Sequence, residues 1–352
     1  MTSASSLDTV PVPSAWRPGP FVPRRRMTNG HVMTVAAWAS ARQFPRLPTP
    51  EARLFRVTDD TQVLAHCYWQ PNRSACPTVL VLHGLEGSSR VHYMQGVADK
   101  AWANGWNAVL LNQRNCGGTE HLTPGLYHSG LTHDPRTVLA SLVETDGLRA
   151  FGIVGYSLGG NLTIKLAGEL SDSGALPVFG VAAICPTIDL ERCVHAIERR
   201  SNVAYQFNFV RNLKARMRRK VKVWPGSFDL APLSRVWTIR RFDDVYTAPH
   251  HGFGDAQNYY RVASAMRVVD QIRVPALILA ADDDPFVPAE QFRDDVLRAN
   301  PAIHVHIEKH GGHCAFLADA QGTFDGYYAE RTAIDFLEDA RRAWHPGAPG
   351  SR

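Results

Sequence analysis

The sequence predicts an α/β fold, in which helices cover both faces of a mostly parallel central sheet. Two observations support this prediction. Short, continuous apolar runs, which are typical of strands buried on both faces, alternate along the chain with stretches of helix length. No repeat with a period of roughly 20 to 50 residues is present, which excludes solenoids and propellers. At 352 residues the chain is long enough to bury a large core.

The elements of this fold can be placed along the chain. An alternating segment over residues 53–69, interrupted by Asp59 and Asp60, predicts an antiparallel hairpin that leads into the sheet. Residues 304–308 also alternate as a strand does. The buried parallel strands are predicted at residues 78–82, 108–111, 152–155, 181–184 and 276–280. The helices are predicted at residues 91–104, 135–145, 158–170, 289–299 and 326–343.

The domain organisation follows from composition and from a break in the alternation. Residues 1–23 are rich in Ser, Thr and Pro and predict a disordered lead-in, and residues 344–352 predict a flexible tail. One domain is expected over residues 24–343. Between about residues 186 and 267 the chain is helical and polar, with no clear strand. We interpret this stretch as a helical cap inserted over one end of the sheet.

Composition excludes several classes of protein. The net charge of +5 is too small to indicate a nucleic-acid partner. No apolar run approaches the ~18–20 residues that cross a bilayer, and the N-terminus lacks a signal core, so we expect a cytoplasmic protein without a transmembrane segment. The basic stretch Arg211–Lys222 leaves open a weak peripheral contact with an anionic membrane, although an exposed helix face explains it more simply. The six cysteines are scattered and contain no CxxC pair, which predicts free thiols.

The strongest chemical signal is the G-x-S-x-G pattern at Gly155–Gly159, directly after a predicted strand and directly before a predicted helix. A sharp strand-to-helix turn exposes a serine there, and small flanking residues allow the backbones to approach. The helix N-terminus also favours developing negative charge. Ser157 is therefore predicted to be a nucleophile. A dinucleotide site is excluded because these glycines do not form G-x-G-x-x-G.

Two backbone N–H groups are predicted to form an oxyanion hole. The loop His83–Gly87 (HGLEG) follows a buried strand, at the position that supplies one such donor in folds with this serine turn. Leu85 is the candidate in that loop, and Leu158, the residue after the serine, is the second. Because only backbone atoms are required, a plain glycine-rich turn remains the alternative for residues 83–87.

An acid and a base are expected after the serine, in the order Ser, Asp or Glu, His. The predicted strand 276–280 runs into Asp282, Asp283 and Asp284, and carboxylates at the carboxyl end of a parallel strand lie where such sheets bind ligands. His313 follows a Gly-Gly turn after the strand 304–308 and can reach the serine as general base. A metal pair of His310 and His313 lacks the carboxylate and helix of H-E-x-x-H, so neither a metal nor another cofactor is expected.

Several segments together resemble one branch of the α/β-hydrolases, the bacterial YheT-like hydrolases and their eukaryotic membrane-anchored relatives. The resemblance extends over about residues 20–336. It implies the α/β-hydrolase fold and the residues Ser157, Asp284 and His313 as a catalytic triad. The matching segments are NGH at 29–31, HGLEGSSRVHY at 83–93, LNQRNCGG at 111–118, YHSG at 127–130, GYSLGGN at 155–161, FDDVYTAPHHGF at 242–253, YYR at 259–261 and DDPFVP at 283–288.

The sequence therefore predicts a serine hydrolase that cleaves carboxylic esters through an acyl-enzyme on Ser157. The resemblance implies short or medium acyl esters or monoacylglycerols as small-molecule substrates, with acyl transfer to an alcohol and phospholipase activity as alternatives. A non-catalytic scaffold predicts a broken triad, which the intact set of residues opposes. The oligomeric state stays open. Selectivity is expected to lie in the cap, with some of its aromatic residues, Tyr205, Phe207, Phe209, Trp224, Phe228 and Trp237, lining an acyl pocket.

Overall fold

A single eight-stranded sheet forms the centre of the computed structural model, which describes residues 16–170 and 176–344. The spatial strand order is β1-β2-β4-β3-β5-β6-β7-β8. The sheet is parallel from β4 to β8, whereas β1 pairs antiparallel with β2, and β2 pairs antiparallel with β4. The strands are β1 (Glu51–Thr58), β2 (Thr61–Tyr68), β3 (Thr78–Leu82), β4 (Asn107–Leu111), β5 (Phe151–Tyr156), β6 (Val178–Ile184), β7 (Ala276–Ala281) and β8 (Ile303–Glu308).

Helices cover both faces of the sheet. The helices α2 and α11 pack on one face, together with the side chains of β3 to β7 that point to it. The helices α3 and α4 pack on the other face. The helices are α1 (Gly30–Ala39), α2 (His92–Ala103), α3 (His133–Asp146), α4 (Leu158–Glu169), α5 (Leu190–Ile197), α6 (Val203–Val223), α7 (Ile239–Phe242), α8 (Ala248–His250), α9 (Ala256–Ala263), α10 (Asp295–Ala299) and α11 (Tyr328–Ala343). The predicted α/β class and the predicted hairpin are both confirmed.

Two elements differ from the sequence-based expectation. The single helix expected over residues 289–299 is broken into a 3₁₀ turn and α10, because Asp294 adopts extended dihedrals and its side chain accepts a hydrogen bond from the N–H of Val296. The helix α1 was not predicted. It is apolar on most sides, so it shows no amphipathic period. Its N-terminus is capped by Asn29, whose side chain accepts a hydrogen bond from the N–H of Val32 at 3.1 Å.

The chain between β6 and β7 contains the five helices α5 to α9 and no strand among its described residues. These helices follow the carboxyl end of β6, the same edge of the sheet at which β5 meets α4. A π-helical segment, Asp243–Thr247, joins α7 to α8. The long helix α6 packs on α7 and on the 3₁₀ turn Glu120–Leu122, so the insertion contacts loops that leave the main sheet.

The prediction of a disordered lead-in over residues 1–23 is wrong for its last part, residues 16–23. Trp16 is buried and packs edge-on against Phe336 of α11 and His304 of β8, with ring centroids 5.0 and 5.1 Å apart. Phe21 packs against Phe316 and Tyr328. A few aromatic residues suffice to hold this Pro-rich segment on the sheet, because each buries a large apolar area. Residues 1–15 lie outside the described residues.

The C-terminal tail expected over residues 344–352 is described only at Trp344, whose ring contacts Phe179 of β6. Residues 345–352 lie outside the described part of the chain. Within the described ranges, no helix has both the length and the apolar character that crossing a membrane requires.

Candidate active site

Ser157 lies at the turn between β5 and α4, with φ 54° and ψ −117°. Such dihedrals are unfavourable for a residue with a side chain, and the surrounding glycines make the turn feasible. A Cβ on Gly155 would lie 2.2 Å from the carbonyl oxygen of Gly159, and a Cβ on Gly159 would lie 2.3 Å from that of Leu82. The G-x-S-x-G pattern thus encodes the close approach of β3, β5 and α4 that presents the serine.

The loop His83–Gly87 leaves the end of β3 beside the serine turn. Leu85 from this loop and Leu158 line the same cavity as Ser157. Leu158 is the first residue of α4, so its N–H has no partner within the helix. The N–H of Gly84 donates to the hydroxyl of Tyr93 at 3.1 Å, and that of Glu86 donates to the hydroxyl of Tyr127 at 3.1 Å. Tyrosine hydroxyls therefore hold the loop on both sides of Leu85.

His313 and Asp284 form a buried pair at the ends of β8 and β7. Nδ1 of His313 lies 2.8 Å from Oδ2 of Asp284, and the Asp284 side chain is 1% exposed. The other carboxylate oxygen accepts hydrogen bonds from the N–H groups of Phe286 at 3.0 Å and Val287 at 2.9 Å. The carboxylate is thereby held in one orientation, and it fixes the imidazole with Nε2 directed away from it.

The two neighbouring aspartates have other partners. Asp283 accepts from the N–H of Gly312 at 2.8 Å and lies 3.4 Å from Nδ1 of His310. Asp282 is exposed and pairs with Arg293. The structure thus brings Asp284, and not its neighbours, to His313. Residue reasoning alone left this register open, because all three acids follow the same strand.

One carbonyl brings the serine turn and the histidine loop together. The carbonyl of Ile184, the last residue of β6, accepts from the N–H of Ser157 at 2.9 Å and from the thiol of Cys314 at 3.5 Å. Cys314 directly follows His313. The turn that carries the predicted nucleophile and the loop that carries the predicted base therefore share one acceptor at the carboxyl edge of the sheet.

The pKa of His313 reflects opposing effects. Burial lowers it, but the charge of the adjacent Asp284 carboxylate and the thiol of Cys314 outweigh burial, and the pKa of His313 is raised above its ordinary value of 6.5. The carboxylate stabilises the imidazolium that forms when the ring accepts a proton. This is the electrostatic property that a general base requires.

The helix α1 supports the histidine loop. Its Thr34 side chain accepts a hydrogen bond from the N–H of His313 at 2.8 Å. Its first residue, Gly30, leaves no room for a side chain, since a Cβ there would lie 1.8 Å from the carbonyl oxygen of Asp283. The NGH segment at residues 29–31 thus caps α1 and presses it against the loops that carry Asp284 and His313.

A buried network explains further motifs for which sequence reasoning found no role. His83 donates from Nδ1 to the carbonyl of Gly84 at 2.7 Å and accepts from the N–H of Gln113 at 3.1 Å. Burial lowers the pKa of His83 to about 4, so the ring is neutral and can both donate and accept. The side chain of Asn112 accepts from the N–H of Ser89 at 2.9 Å. The motif at residues 111–118 therefore braces the predicted oxyanion loop.

Asn161 of α4 connects this helix to the cap through buried hydrogen bonds. Its side chain donates to the carbonyls of Ser129 and Ala263 at 2.8 and 2.9 Å and accepts from the N–H of Ala265 at 2.8 Å. The hydroxyl of Tyr259 donates to that of Ser129 at 2.8 Å. The motifs at 127–130, 155–161 and 259–261 are thus parts of one hydrogen-bonded junction. The sequence signal for this junction is the presence of Asn161 and Tyr259 among apolar residues, because buried polar side chains need hydrogen-bond partners.

Ser157 opens into a mostly apolar cavity of about 100 Å³. The insertion supplies most of its wall, and its apolar contributors are Leu190, Cys193, Val194, Ile197, Phe209, Leu213, Ile239 and Phe242. Some of the six aromatic residues of the cap were expected to line this cavity, and Phe209 does so. Phe207 and Trp237 are instead exposed, at 61% and 69%. Phe207 and Phe209 differ because residues two apart on α6 point in different directions.

The basic stretch of α6 is only in part the exposed face that was expected. Arg216 is 3% exposed, and its guanidinium lies 3.2 Å from Glu86 and over the ring of Tyr127. Burial lowers the pKa of Arg216, but the charge of the Glu86 carboxylate outweighs burial, so the pKa of Arg216 is raised above its ordinary value. Lys220 is fully buried and donates to the side chain of Asn115 at 2.8 Å. Both side chains connect α6 to loops that leave the main sheet. Arg216 contacts Glu86 of the HGLEG loop, and Lys220 contacts Asn115.

The chain belongs to the alpha/beta hydrolase family, whose model matches residues 79–325. It is 36% identical over 303 residues to YheT of Escherichia coli (strain K12), a protein that carries an esterase name, covering 84% of this chain and 87% of that protein. It is 28% identical over 265 residues to a monoacylglycerol lipase of Saccharomyces cerevisiae, and 26% identical over 245 residues to phospholipase ABHD3 of Mus musculus. These matches cover 73% and 69% of this chain and 58% and 59% of the relatives' own lengths. The resemblance found in the sequence is confirmed, and the chain is a hydrolase of the esterase and lipase class.

Solved structures agree on the fold. The esterase Pf2001 of Pyrococcus furiosus superimposes with a TM-score of 0.54 at 14% identity, over 85% of this chain and 97% of that one. A puromycin hydrolase superimposes with a TM-score of 0.56 at 18% identity, over 86% of this chain and 40% of that one. At such low identity these likenesses support the architecture alone.

Proposed function

We propose that this protein hydrolyses carboxylic esters of short or medium acyl chains through an acyl-enzyme on Ser157. The observation that carries the proposal is the buried pair of Asp284 and His313, at the same sheet edge as the strained serine turn. Relatives that bear esterase and lipase names support the ester substrate. Nothing in this reaction requires a metal or another cofactor.

In the proposed mechanism, Oγ of Ser157 attacks the ester carbonyl while Nε2 of His313 takes its proton. Asp284 stays ionised: its carboxylate accepts a hydrogen bond from Nδ1–H of His313 and stabilises the imidazolium. The N–H groups of Leu85 and Leu158 stabilise the oxyanion of the tetrahedral intermediate. His313 then gives the proton to the leaving alkoxide, and the alcohol departs. In the second half of the reaction, His313 again acts as the base while water attacks the acyl-enzyme, and the carboxylic acid is released.

Hydrolysis of p-nitrophenyl esters, from acetate to palmitate, and of monoacylglycerols tests this proposal. The purified protein is expected to release p-nitrophenol at a rate that saturates with substrate. Absence of turnover on every ester of both series, by a protein that melts cooperatively, would oppose it. Adding ethanol to the assay separates the alternative, because acyl transfer to the alcohol yields an ethyl ester in place of the free acid.

The pH profile should report the raised pKa of His313. The base acts when neutral, so kcat/KM is expected to rise with pH through the pKa of His313 and to reach half its maximum above 6.5. In Asp284→Asn the stabilising charge is lost, so the pKa of His313 falls. The rising limb of the kcat/KM profile should then move to lower pH, and the maximal kcat/KM should be much lower. Measuring kcat/KM for p-nitrophenyl acetate against pH checks both statements. A limb that moves to higher pH in Asp284→Asn would be incompatible with this pairing.

The acyl-chain preference should depend on Phe209. The cavity of about 100 Å³ favours short chains, and Phe209→Ala enlarges it. The ratio of kcat/KM for octanoate to that for acetate is expected to rise, by roughly fourfold for each further methylene that becomes buried. Phe207→Ala, on the same helix but exposed, is the matched control and should keep the wild-type ratio. An unchanged ratio in folded Phe209→Ala would place chain selectivity elsewhere.

A further inference from the structure

Three potential metal ligands, one of which is the proposed catalytic base, lie close together at the carboxyl ends of β6 and β8. Sγ of Cys185, Sγ of Cys314 and a ring nitrogen of His313 all lie within 4.8 Å of one another, and they are the one such Cys, His or carboxylate group in the described ranges. Cys185 directly follows β6 and Cys314 directly follows His313. Neither cysteine has a part in the proposed ester hydrolysis.

The backbone holds the two thiols at this point. The N–H of Cys314 donates to Sγ of Cys185 at 3.3 Å, and the thiol of Cys185 donates to the carbonyl of Gly312 at 3.7 Å. Cys185 is completely buried, whereas Cys314 and His313 are largely but not completely buried, with 11% of the His313 side chain exposed. The cluster therefore has one completely buried ligand and two ligands that keep some exposed surface.

We propose that Cys185, Cys314 and His313 form an inhibitory site for Zn²⁺. Two sulfur ligands and one imidazole suit zinc, which also accepts water as a fourth ligand. Tetrahedral zinc places such ligand atoms about 3.6–3.8 Å apart, so separations of at most 4.8 Å need to shorten by no more than about 1 Å. Both thiols bind as thiolates and release their protons to solvent.

Asp284 completes the site from the second shell. A metal-bound histidine commonly donates its other ring N–H to a carboxylate, and Nδ1 of His313 already lies 2.8 Å from Asp284. The lone pair available to zinc is then that of Nε2, the same lone pair that takes the proton of Ser157 in the proposed reaction. The inference rests on the proposed function in this respect: a bound ion removes the base and stops hydrolysis.

Zinc binding and zinc inhibition can be measured separately on the full chain under reducing conditions. Equilibrium dialysis should find one Zn²⁺ per chain in the wild type. Cys185→Ser and Cys314→Ser should each weaken binding by ~100-fold or more, because a lost ligand costs more than the ~10–100-fold typical of a lost second-shell partner. Cys76→Ser is the control, since Cys76 precedes β3 at the opposite end of the sheet from the serine turn.

Activity on p-nitrophenyl acetate forms the second arm. Zn²⁺ should lower wild-type kcat/KM by ~10-fold or more, a chelator should restore it, and Mg²⁺, which prefers oxygen ligands, should have no effect. Both cysteine variants should resist zinc at concentrations that inhibit the wild type and Cys76→Ser. Wild-type-like zinc affinity in both cysteine variants would overturn the site, and binding without inhibition would overturn its action on His313. A protein that binds zinc through these cysteines but hydrolyses no ester, with or without zinc, would instead contradict the proposed function.

Discussion

Replacing Ser157 with alanine is expected to lower kcat for ester hydrolysis by ~10⁴ to 10⁶. The proposed reaction forms a covalent bond to Oγ, and no other group at the turn can replace it. The side chain makes no capping hydrogen bond to α4, so the fold should be retained. Turnover of p-nitrophenyl acetate and thermal unfolding of the same samples measure both effects.

Ser129→Ala is the matched control for this variant. Ser129 lines the same cavity and hydrogen-bonds to Tyr259, but it does not lie at the strained turn. A far smaller loss of activity is expected there. Activity of Ser157→Ala within tenfold of the wild type would contradict a serine acyl-enzyme.

The second large effect is expected at the base and its acid. His313→Ala should lower kcat about as much as Ser157→Ala, and Asp284→Ala should lower it by roughly 10⁴, because the triad acts as a unit. His310→Ala should be much milder, since His310 pairs with Asp283. The rate constants of all the variants should be compared on one ester.

The three adjacent aspartates provide an internal test of the register. Asp282→Ala should behave almost as the wild type, because Asp282 is exposed and pairs only with Arg293 among the ion pairs of the described residues. Asp283→Ala should be intermediate, since its carboxylate accepts from the N–H of Gly312 next to His313. A larger loss for Asp283→Ala than for Asp284→Ala would show that the acid has been assigned one residue too late.

The fold was predictable from sequence because the parallel strands are buried on both faces. Such strands are continuous apolar runs, and β3, β5 and β7 lie within one residue of their predicted ends. The helix α1 was not predicted, because it is short and its apolar residues show no helical periodicity. Trp16 escaped prediction because a single aromatic residue in a Pro-rich segment carries no local signal of the surface on which it packs.

The candidate site was predictable where chemistry imposes a local pattern. The turn around Ser157 requires glycines at set positions, and these appear in the sequence. The pairing of Asp284 with His313 depends on how two loops meet across β7 and β8, and residue spacing alone does not define that distance. The buried roles of Arg216 and Lys220 depend on which face of α6 meets the main sheet. In sequence they are part of a charged run that resembles an exposed helix.

Mass spectrometry after treatment with a fluorophosphonate tests the central claim most directly. The reagent reacts covalently with an activated serine and needs no knowledge of the natural ester. One adduct per chain is expected, on the peptide that contains Ser157, and it should be absent from Ser157→Ala and greatly slowed in His313→Ala. An adduct on another residue, or equal labelling of Ser157→Ala, would contradict the assignment of Ser157 as the nucleophile.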